Sequence, residues 1–356
     1  MSFDIVSSLP FLVEFQDKIY ALNSESIFGV SSFILSNELL SNETGIRQVA
    51  HEICIFVRNR PNSLEMIVKL VIELLKVESM KKLTQFLADE LLNPAKDISI
   101  ENSIASFGLL RKLFLGGLYT ANEVFGFILR FPESRKIRLF ALLCFFAPEL
   151  NEQLPNQFNI LWKRIQGFSI GDSAFLSLYT NFNDYKANNY EKLRMLLDYG
   201  CLKSSIQFGI KMNDLRVIER ISELNEKLEP AVLEPFSITK SATPVQYAAF
   251  YGAYDVFMAI YGKGGDISNA LNFAIAGGCK RIIDVCLTQT QLSVKNINSC
   301  ISSHHREFFD SLLSSVTKDA LIAAASFNYI YAVDRIVSSG MDINVSDSNQ
   351  VLFVFI

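Results

Sequence analysis

Three cysteines and two histidines lie close together in the second half of the sequence, and this group comes first because such side chains bind metals. They are Cys279, Cys286, Cys300, His304 and His305. Thiolate and imidazole groups at regular short spacings form tetrahedral zinc sites. The spacings here match no zinc-finger pattern, and the six cysteines of the chain include no CxxC pair. We therefore predict no metal and no cofactor.

Candidates for catalysis are equally few. His51 is the only histidine of the first half, and a helical histidine beside a glutamate is more often structural than catalytic. Asp89 and Glu90 are adjacent, so they point to different faces of a helix and form no dyad. The glycines of AGG at 276–278 are not followed by the Lys-Ser/Thr of a phosphate loop. The sequence predicts a protein that is not an enzyme.

The bulk composition indicates a large folded protein without a basic surface. The chain has 356 residues, half of them hydrophobic, which is more than one compact core usually holds. Its formal net charge is −4. Because nucleic acids and anionic membranes attract strongly basic proteins, we expect neither as a partner.

The sequence also predicts a cytoplasmic location. The first 18 residues have no basic segment ahead of an apolar run, so a signal peptide is not expected. The longest charge-free apolar segment, at 139–148, is about half as long as a membrane span. Most cysteines lie in apolar helical patterns, as reduced and buried thiols do.

Apolar residues recur at helical spacing through the first half, for example at Ile46, Val49, Ile53 and Val57. Strand-like alternation is scarce. We therefore predict a helical N-terminal domain over residues 1–170, with a candidate internal boundary at PELNEQLP (148–155). Helix ends are expected at Pro94, Pro132, Pro148 and Pro155.

The second half contains five copies of one pattern. Each copy has small residues in a first short helix, then Gly, Asn or His, then a second helix with paired large apolar residues. Small residues let helices approach closely, and Gly and Asn tolerate a left-handed turn. A pair of short helices cannot bury its own apolar face, so copies must stack. The copies occupy 205–222, 244–261, 270–287, 296–313 and 320–337, with Asn213, Gly252, Gly278, His304 and Asn328 at the turn.

This pattern resembles the ankyrin repeat over roughly 188–352, and most closely a divergent class, expanded in some protists, that carries a helical N-terminal region. The residues that carry the likeness to the ankyrin repeat are Thr243-Pro244, Ala248-Ala249, Gly252, GGDI at 264–267, Ala274, Gly278, and SSGMDINVSD at 338–347 with Gly340 and Asp342. The likeness to the divergent class rests on FAIAGGCKRIIDVC (273–286) followed by HHREFFDSLL (304–313), and on RNRPNSLEMIVKLVIELL (58–75) for the N-terminal region. The resemblance implies an all-α fold, in which the helical N-terminal domain is followed by a degenerate ankyrin-repeat α-solenoid over 171–356. It also implies a non-enzymatic interaction module or scaffold.

The repeat spacing departs from that family. Ala248 to Ala274 and Ala274 to Cys300 are each 26 residues, and Cys300 to Ala324 is 24, whereas an ankyrin unit has about 33. We therefore expect shortened loops between copies. The sequence breaks off inside a further repeat, and residues 345–356 are interpreted either as a truncated end or as a docking tail.

The resemblance places partner binding at the variable positions before each turn, where large side chains would anchor another protein. These positions give Lys211, Met212, Phe250, Tyr251 and Phe327 as partner-binding residues. Alternatively, the rings pack against neighbouring loops. Two further alternatives stay open: an enzyme with a site in the first half, revealed by a cleft with converging carboxylates or His51, and a truncated family member without function.

Overall fold

The computed structural model describes residues 5–93, 99–171, 173–229, 233–234 and 241–342. Helices are the only regular secondary structure in these ranges, which confirms the all-α prediction. The first eleven α-helices, α1 to α11, are Ile5–Tyr20, Ile27–Leu35, Glu43–Asn59, Leu64–Leu74, Leu83–Leu91, Ile100–Leu115, Ala121–Arg130, Lys136–Gln153, Pro155–Ile165, Ser173–Thr180 and Phe182–Tyr199. The last of these is broken by non-helical backbone at 187–190.

The later helices are shorter, with six to ten residues each. Helices α12 to α20 are Ile206–Lys211, Pro244–Tyr251, Tyr254–Gly262, Ala270–Gly277, Lys280–Gln289, Ile297–Ser302, Arg306–Leu312, Lys318–Ser326 and Ile330–Ser338. Short 3₁₀ helices lie at Glu38–Ser41, Pro61–Ser63, Glu78–Met80, Leu215–Arg220, Val294–Asn296 and Leu313–Ser315. Within the described ranges, no helix is long and apolar enough to cross a membrane.

The chain forms two compact units that differ from the predicted domains 1–170 and 171–356. Unit 1 contains the described residues of Met1–Gln48, Ile210–Lys227 and Ala242–Ile356, and unit 2 those of Val49–Gly209 and Leu228–Ser241. The difference has two causes. Helix α1 packs against α20, far away in sequence, and helices α10 and α11 pack against α8 of the first half.

Helix α8 is the buried centre of unit 2, and it does not end where the sequence predicts. Residues 138–150 are all buried, and the helix continues through Pro148 to Gln153. The predicted boundary at 148–155 is therefore wrong in its first part, whereas Pro155 does begin α9. Pro148 removes one backbone donor. Arg111 of α6 binds the helix beside this proline, because its guanidinium donates to the Phe145 carbonyl at 2.8 Å and binds Glu149.

The five predicted helix pairs all appear in the second half. Pair 1 is α12 with the 3₁₀ helix Leu215–Arg220, and pairs 2 to 5 are α13–α14, α15–α16, α17–α18 and α19–α20. The first helices of pairs 2 to 5 pack successively on one another. Second helices also meet, since α14 contacts α16 and α18 contacts α20. The pairs are therefore stacked side by side.

The turn between the two helices has one backbone form in all five pairs. Its central residue has positive φ: Asn213 (51°), Gly252 (68°), Gly278 (73°), His304 (49°) and Asn328 (53°). In pairs 2 to 5 the next N–H bonds the carbonyl five residues earlier, as in a Schellman motif; these donors are Ala253, Cys279, His305 and Tyr329. The left-handed turns predicted from the repeat register are therefore confirmed.

Small residues bring the first helices of pairs 2 and 3 very close together. Ala248, Ala249 and Ala274 are fully buried. A Cβ added at Gly277 would lie 2.0 Å from the Phe250 carbonyl oxygen. Gly277 occupies one of the variable positions before a turn. This close approach leaves no room there for a side chain.

The N-terminal helix α1 packs on pairs 4 and 5 of the same unit. The Gln16 side chain is buried, and its amide donates to the Asn328 carbonyl at 2.7 Å and accepts from the Ile330 N–H at 3.2 Å. The Tyr20 ring stacks on the His304 ring with centroids 3.9 Å apart. Helix α1 therefore belongs to the repeat region, although the sequence places it in the N-terminal domain.

Candidate protein-interaction surface

The turns of the five pairs lie in a row, which we call the turn edge. It consists of the five turns and the first three residues of the helix that follows each turn. The turns are residues 212–214, 251–253, 277–279, 303–305 and 327–329. Neighbouring turns contact each other along this row. The Asn213 amide donates to the Asp255 carboxylate at 2.7 Å and accepts from the Val256 N–H at 3.0 Å. The His304 Nε2 donates to the Phe327 carbonyl at 3.0 Å. Hydrogen bonds thus join the turns of pairs 1 and 2 and those of pairs 4 and 5.

Two of the five predicted partner-binding residues, Lys211 and Tyr251, are in contact at pairs 1 and 2. The Lys211 ammonium lies over the Tyr251 ring at 4.4 Å and over the Tyr247 ring at 5.8 Å. Met212 follows Lys211 directly and is 48% exposed. The two tyrosine rings are 4.7 Å apart. Lys211 and the two tyrosines thus form one cluster, and the exposed Met212 is its neighbour in sequence.

Phe250 is a correction to the predicted site. Its side chain is only 2% exposed and contacts the Tyr251 ring edge-on at 5.2 Å. Helix α15 approaches so closely at Gly277 that the end of α13 is covered there. Phe250 is therefore a packing residue and offers no side-chain surface to a partner.

Phe327 lies at the other end of the turn edge, and the structure does not bring it to the cluster of pairs 1 and 2. It is half-buried, and its carbonyl accepts the hydrogen bond from His304. The next residue, Asn328, is bound by Gln16 of α1. This end of the turn edge therefore already holds a helix of the same chain.

Sequence reasoning missed two residues of the cluster region. Leu215, at the start of the 3₁₀ helix in pair 1, is 54% exposed, and Tyr247 supports Tyr251 from one helical turn earlier. The spacing of four between Tyr247 and Tyr251 was a usable signal, because residues four apart share a helix face. No sequence signal separates an exposed Leu215 from a buried one.

The residues that carry the repeat pattern have structural roles. The Thr243 hydroxyl accepts from the Gln246 N–H, the Gln246 amide oxygen accepts from the Thr243 N–H, and Pro244 begins α13. Gly340 follows α20 with φ of 98°, and Asp342 is exposed. The remainder of the predicted 338–347 motif, and the predicted tail 345–356, lie outside the described residues.

The cysteine and histidine group is distributed over packing and turn positions. Burial raises the pKa of Cys286 to about 11 and that of Cys300 to about 12, so both stay neutral thiols near pH 7. Cys279 is half-buried beside the Gly252 turn. Across the described residues, no three His, Cys, Asp or Glu side chains are grouped as metal ligands.

Unit 2 contains the histidine and the carboxylates considered for catalysis. The His51 Nδ1 lies 3.3 Å from a Glu90 carboxylate oxygen. A nearby pocket of about 310 Å³ includes one carboxylate and one guanidinium, and its lining is Ala88, Asp89, Leu92, Asn93, Phe127, Arg130, Phe131 and Pro132. The His51–Glu90 pair is not part of that lining, so the pocket and the histidine do not form one site.

Comparison with known proteins finds no relative, since no family model, curated protein or solved structure matches this chain.

Proposed function

We propose that this chain is a non-enzymatic protein-interaction module, and that it binds another protein through the part of the turn edge around Lys211, Met212 and Tyr251. The observation that carries the proposal is the cluster itself. It places a cation on an aromatic ring at the turn edge, and two exposed apolar residues, Met212 and Leu215, follow Lys211 closely in sequence. Aromatic and methionine side chains are enriched where proteins bind one another.

Hydrogen bonds between the turns of pairs 1 and 2 also support a binding surface at this place. The Asn213 amide ties pair 1 to Asp255 and Val256 of pair 2, so the two turns that carry the cluster are joined. Preorganised surfaces lose less conformational entropy on binding.

The fold proposal that accompanies this function is a degenerate ankyrin-like solenoid with shortened loops. It is supported by five left-handed turns in one register, four of them with the Schellman hydrogen bond, by the stacking of first helices, and by connections without strands in the described residues. Five of the six cysteines are buried thiols, which fits the cytoplasmic location that we also propose.

Quantitative affinity capture from a lysate of the source organism tests the function, followed by binding measurements with the purified partner. The test variant is Lys211→Glu/Met212→Ala. The matched control is Lys295→Glu/Val294→Ala, which changes one exposed lysine and one exposed apolar residue elsewhere in unit 1. We expect the test variant to weaken binding at least about tenfold, or about 1.4 kcal/mol, and the control to bind normally.

Two results would contradict the proposal. One is a partner that binds the test variant and the control equally well. The other is recovery of chaperones alone, which recognise exposed apolar chain and would leave the surface without a specific ligand.

A further inference from the structure

Helix α1 shows how the turn edge holds a helix. At pairs 4 and 5, the Asp17 carboxylate of α1 accepts from the Arg306 guanidinium at 2.8 Å. That guanidinium lies over the Tyr331 ring at 4.0 Å. Arg306 is the second residue after the turn centre His304, and Tyr331 is the third after Asn328. A stacked arginine and tyrosine from successive pairs thus present a cation to a carboxylate.

The same stack recurs two pairs earlier, with the two positions exchanged. Tyr254 is the second residue after the turn centre Gly252, and Arg281 is the third after Gly278. The Arg281 guanidinium lies over the Tyr254 ring at 3.6 Å. Arg281 is exposed and, among the described residues, binds no carboxylate.

Lys280 adds a second cation beside this stack. It occupies the position in pair 3 that Arg306 occupies in pair 4, and it is exposed without a hydrogen-bond or ion-pair partner in the described part of the chain. Asp255, the nearest acidic residue of pair 2 in sequence, is bound by the Asn213 amide. The turn edge at pairs 2 and 3 therefore carries two exposed cations that form no ion pair within the described residues, beside one carboxylate, that of Asp255, which Asn213 holds.

We infer that the turn edge at pairs 2 and 3 binds an acidic helix of the partner protein, with a carboxylate of that helix on Arg281 and Lys280. The inference rests on the proposed function and names the chemistry of the partner. The helical form follows from α1, whose Gln16 and Asp17 reach the turn backbone and the arginine from consecutive positions. Gly278 is exposed and has no side chain, so it leaves the backbone of its turn open to a partner. A carboxylate held by a guanidinium is a charge-assisted contact that also fixes orientation.

The test uses a fluorescein-labelled peptide of residues 9–22, LPFLVEFQDKIYAL, as the probe for the full-length chain, with binding followed by fluorescence anisotropy. The control peptide carries Asp17→Lys. The test variant is Lys280→Glu/Arg281→Glu, and its charge-matched control is Lys263→Glu/Lys295→Glu, which alters two exposed lysines away from the turns. Arg306→Glu reports on exchange of the peptide with α1 at pairs 4 and 5.

We expect the peptide to bind the wild-type chain, the lysine control and Arg306→Glu alike. Binding should weaken at least about tenfold for Lys280→Glu/Arg281→Glu and for the Asp17→Lys peptide, as loss of a charge-assisted pair implies. Absence of binding, or loss caused by Arg306→Glu alone, would overturn the inference. Neither result would affect the proposed function, since capture of the natural partner is tested with Lys211 and Met212.

Discussion

The two units of this protein fix their helices by different means. In unit 1, backbone geometry sets the packing: each pair turns on one left-handed residue, and Gly277 lets two helices touch at main-chain distance. In unit 2, side chains set it. Glu149 on α8 is bound by Arg111 of α6 and, at 2.7 Å, by Arg194 of α11, and large aromatic rings fill the surrounding core.

This difference predicts where each unit is sensitive to substitution. Removing one charge from a buried network leaves its partner buried without a counter-charge, which destabilises the fold. A backbone contact fails when a single carbon is added. The lone tryptophan, Trp162, lies in unit 2, so its fluorescence follows that unit, whereas circular dichroism follows the helices of both.

The largest effect is expected for Glu149→Gln. The variant leaves the buried Arg111 guanidinium without its negative partner, and breaking a buried pair in this way costs about 3–5 kcal/mol of the free energy of unfolding. Denaturant unfolding followed by Trp162 fluorescence measures the loss. Glu133→Gln is the matched control, because Glu133 binds Arg164 at the surface of the same unit and should contribute about 0–1 kcal/mol. Equal losses in the two variants would show that the Arg111–Glu149 network does not stabilise unit 2.

The second largest effect is expected for Gly277→Ala. The new methyl group would meet the Phe250 carbonyl oxygen, so α13 and α15 must separate, and overpacking of this kind costs about 1–3 kcal/mol or more. Gly126→Ala is the control, since nothing lies within 4 Å of the added carbon and alanine favours a helix. Circular dichroism during unfolding measures both. A Gly277→Ala variant as stable as wild type would contradict the close approach of the two helices.

Local signals in the sequence predicted the turns, whereas nothing in the sequence predicted the contacts between distant residues. Gly252 and Asn328 stand out in the sequence because few other residues accept positive φ, and both occupy it. The docking of α1 depends on Gln16 and Asn328, which are 312 residues apart, and no periodicity connects them. The burial of Phe250 beside a half-exposed Tyr251 depends on the approach of Gly277 from another helix. Adjacent positions at one helix end therefore differ for a reason that lies outside that helix.

The predicted helix end at Pro148 is wrong for a different reason: the local preference of proline is correct, but the surrounding structure overrides it. Proline disfavours a helix interior at a cost of about 3 kcal/mol, yet α8 continues through Pro148 in a fully buried stretch. Tertiary packing, which no local pattern shows, therefore decides where this helix ends.

The third effect separates backbone strain from steric overlap. Gly252→Ala adds a carbon that meets Cys279 only at ordinary contact distance, 3.5 Å, so its cost comes from forcing alanine to φ of 68°. That cost is about 1–2 kcal/mol. Gly262 has φ outside the left-handed region and open space around it, so Gly262→Ala should not lose this free energy of unfolding. The comparison is made by denaturant unfolding under the same conditions as Gly277→Ala. A loss for Gly252→Ala that exceeds the loss for Gly277→Ala would mean that the turns, and not the helix contacts, set the packing of unit 1.

The smallest effect compares one helix start in each unit. Thr120 and Glu123 form a capping box at α7, as Thr243 and Gln246 do at α13, but only Glu123 can be charged. Hydrogen bonds from the Thr120 N–H and hydroxyl lower the pKa of Glu123. A carboxyl with a lowered folded pKa stabilises the protein above its unfolded pKa of about 4.3, and this contribution is lost as the pH falls through the folded pKa.

Because Glu123 is largely exposed, we expect Glu123→Gln to lose only about 0.5 kcal/mol at pH 7 and nothing at the lowest pH where the protein stays folded. Gln246→Ala should instead cost the same at both pH values, since neither partner of that box titrates. Urea unfolding of both variants at the two pH values tests the contrast, and a Glu123→Gln loss that persists unchanged at low pH would show that the box acts through its hydrogen bonds without its charge.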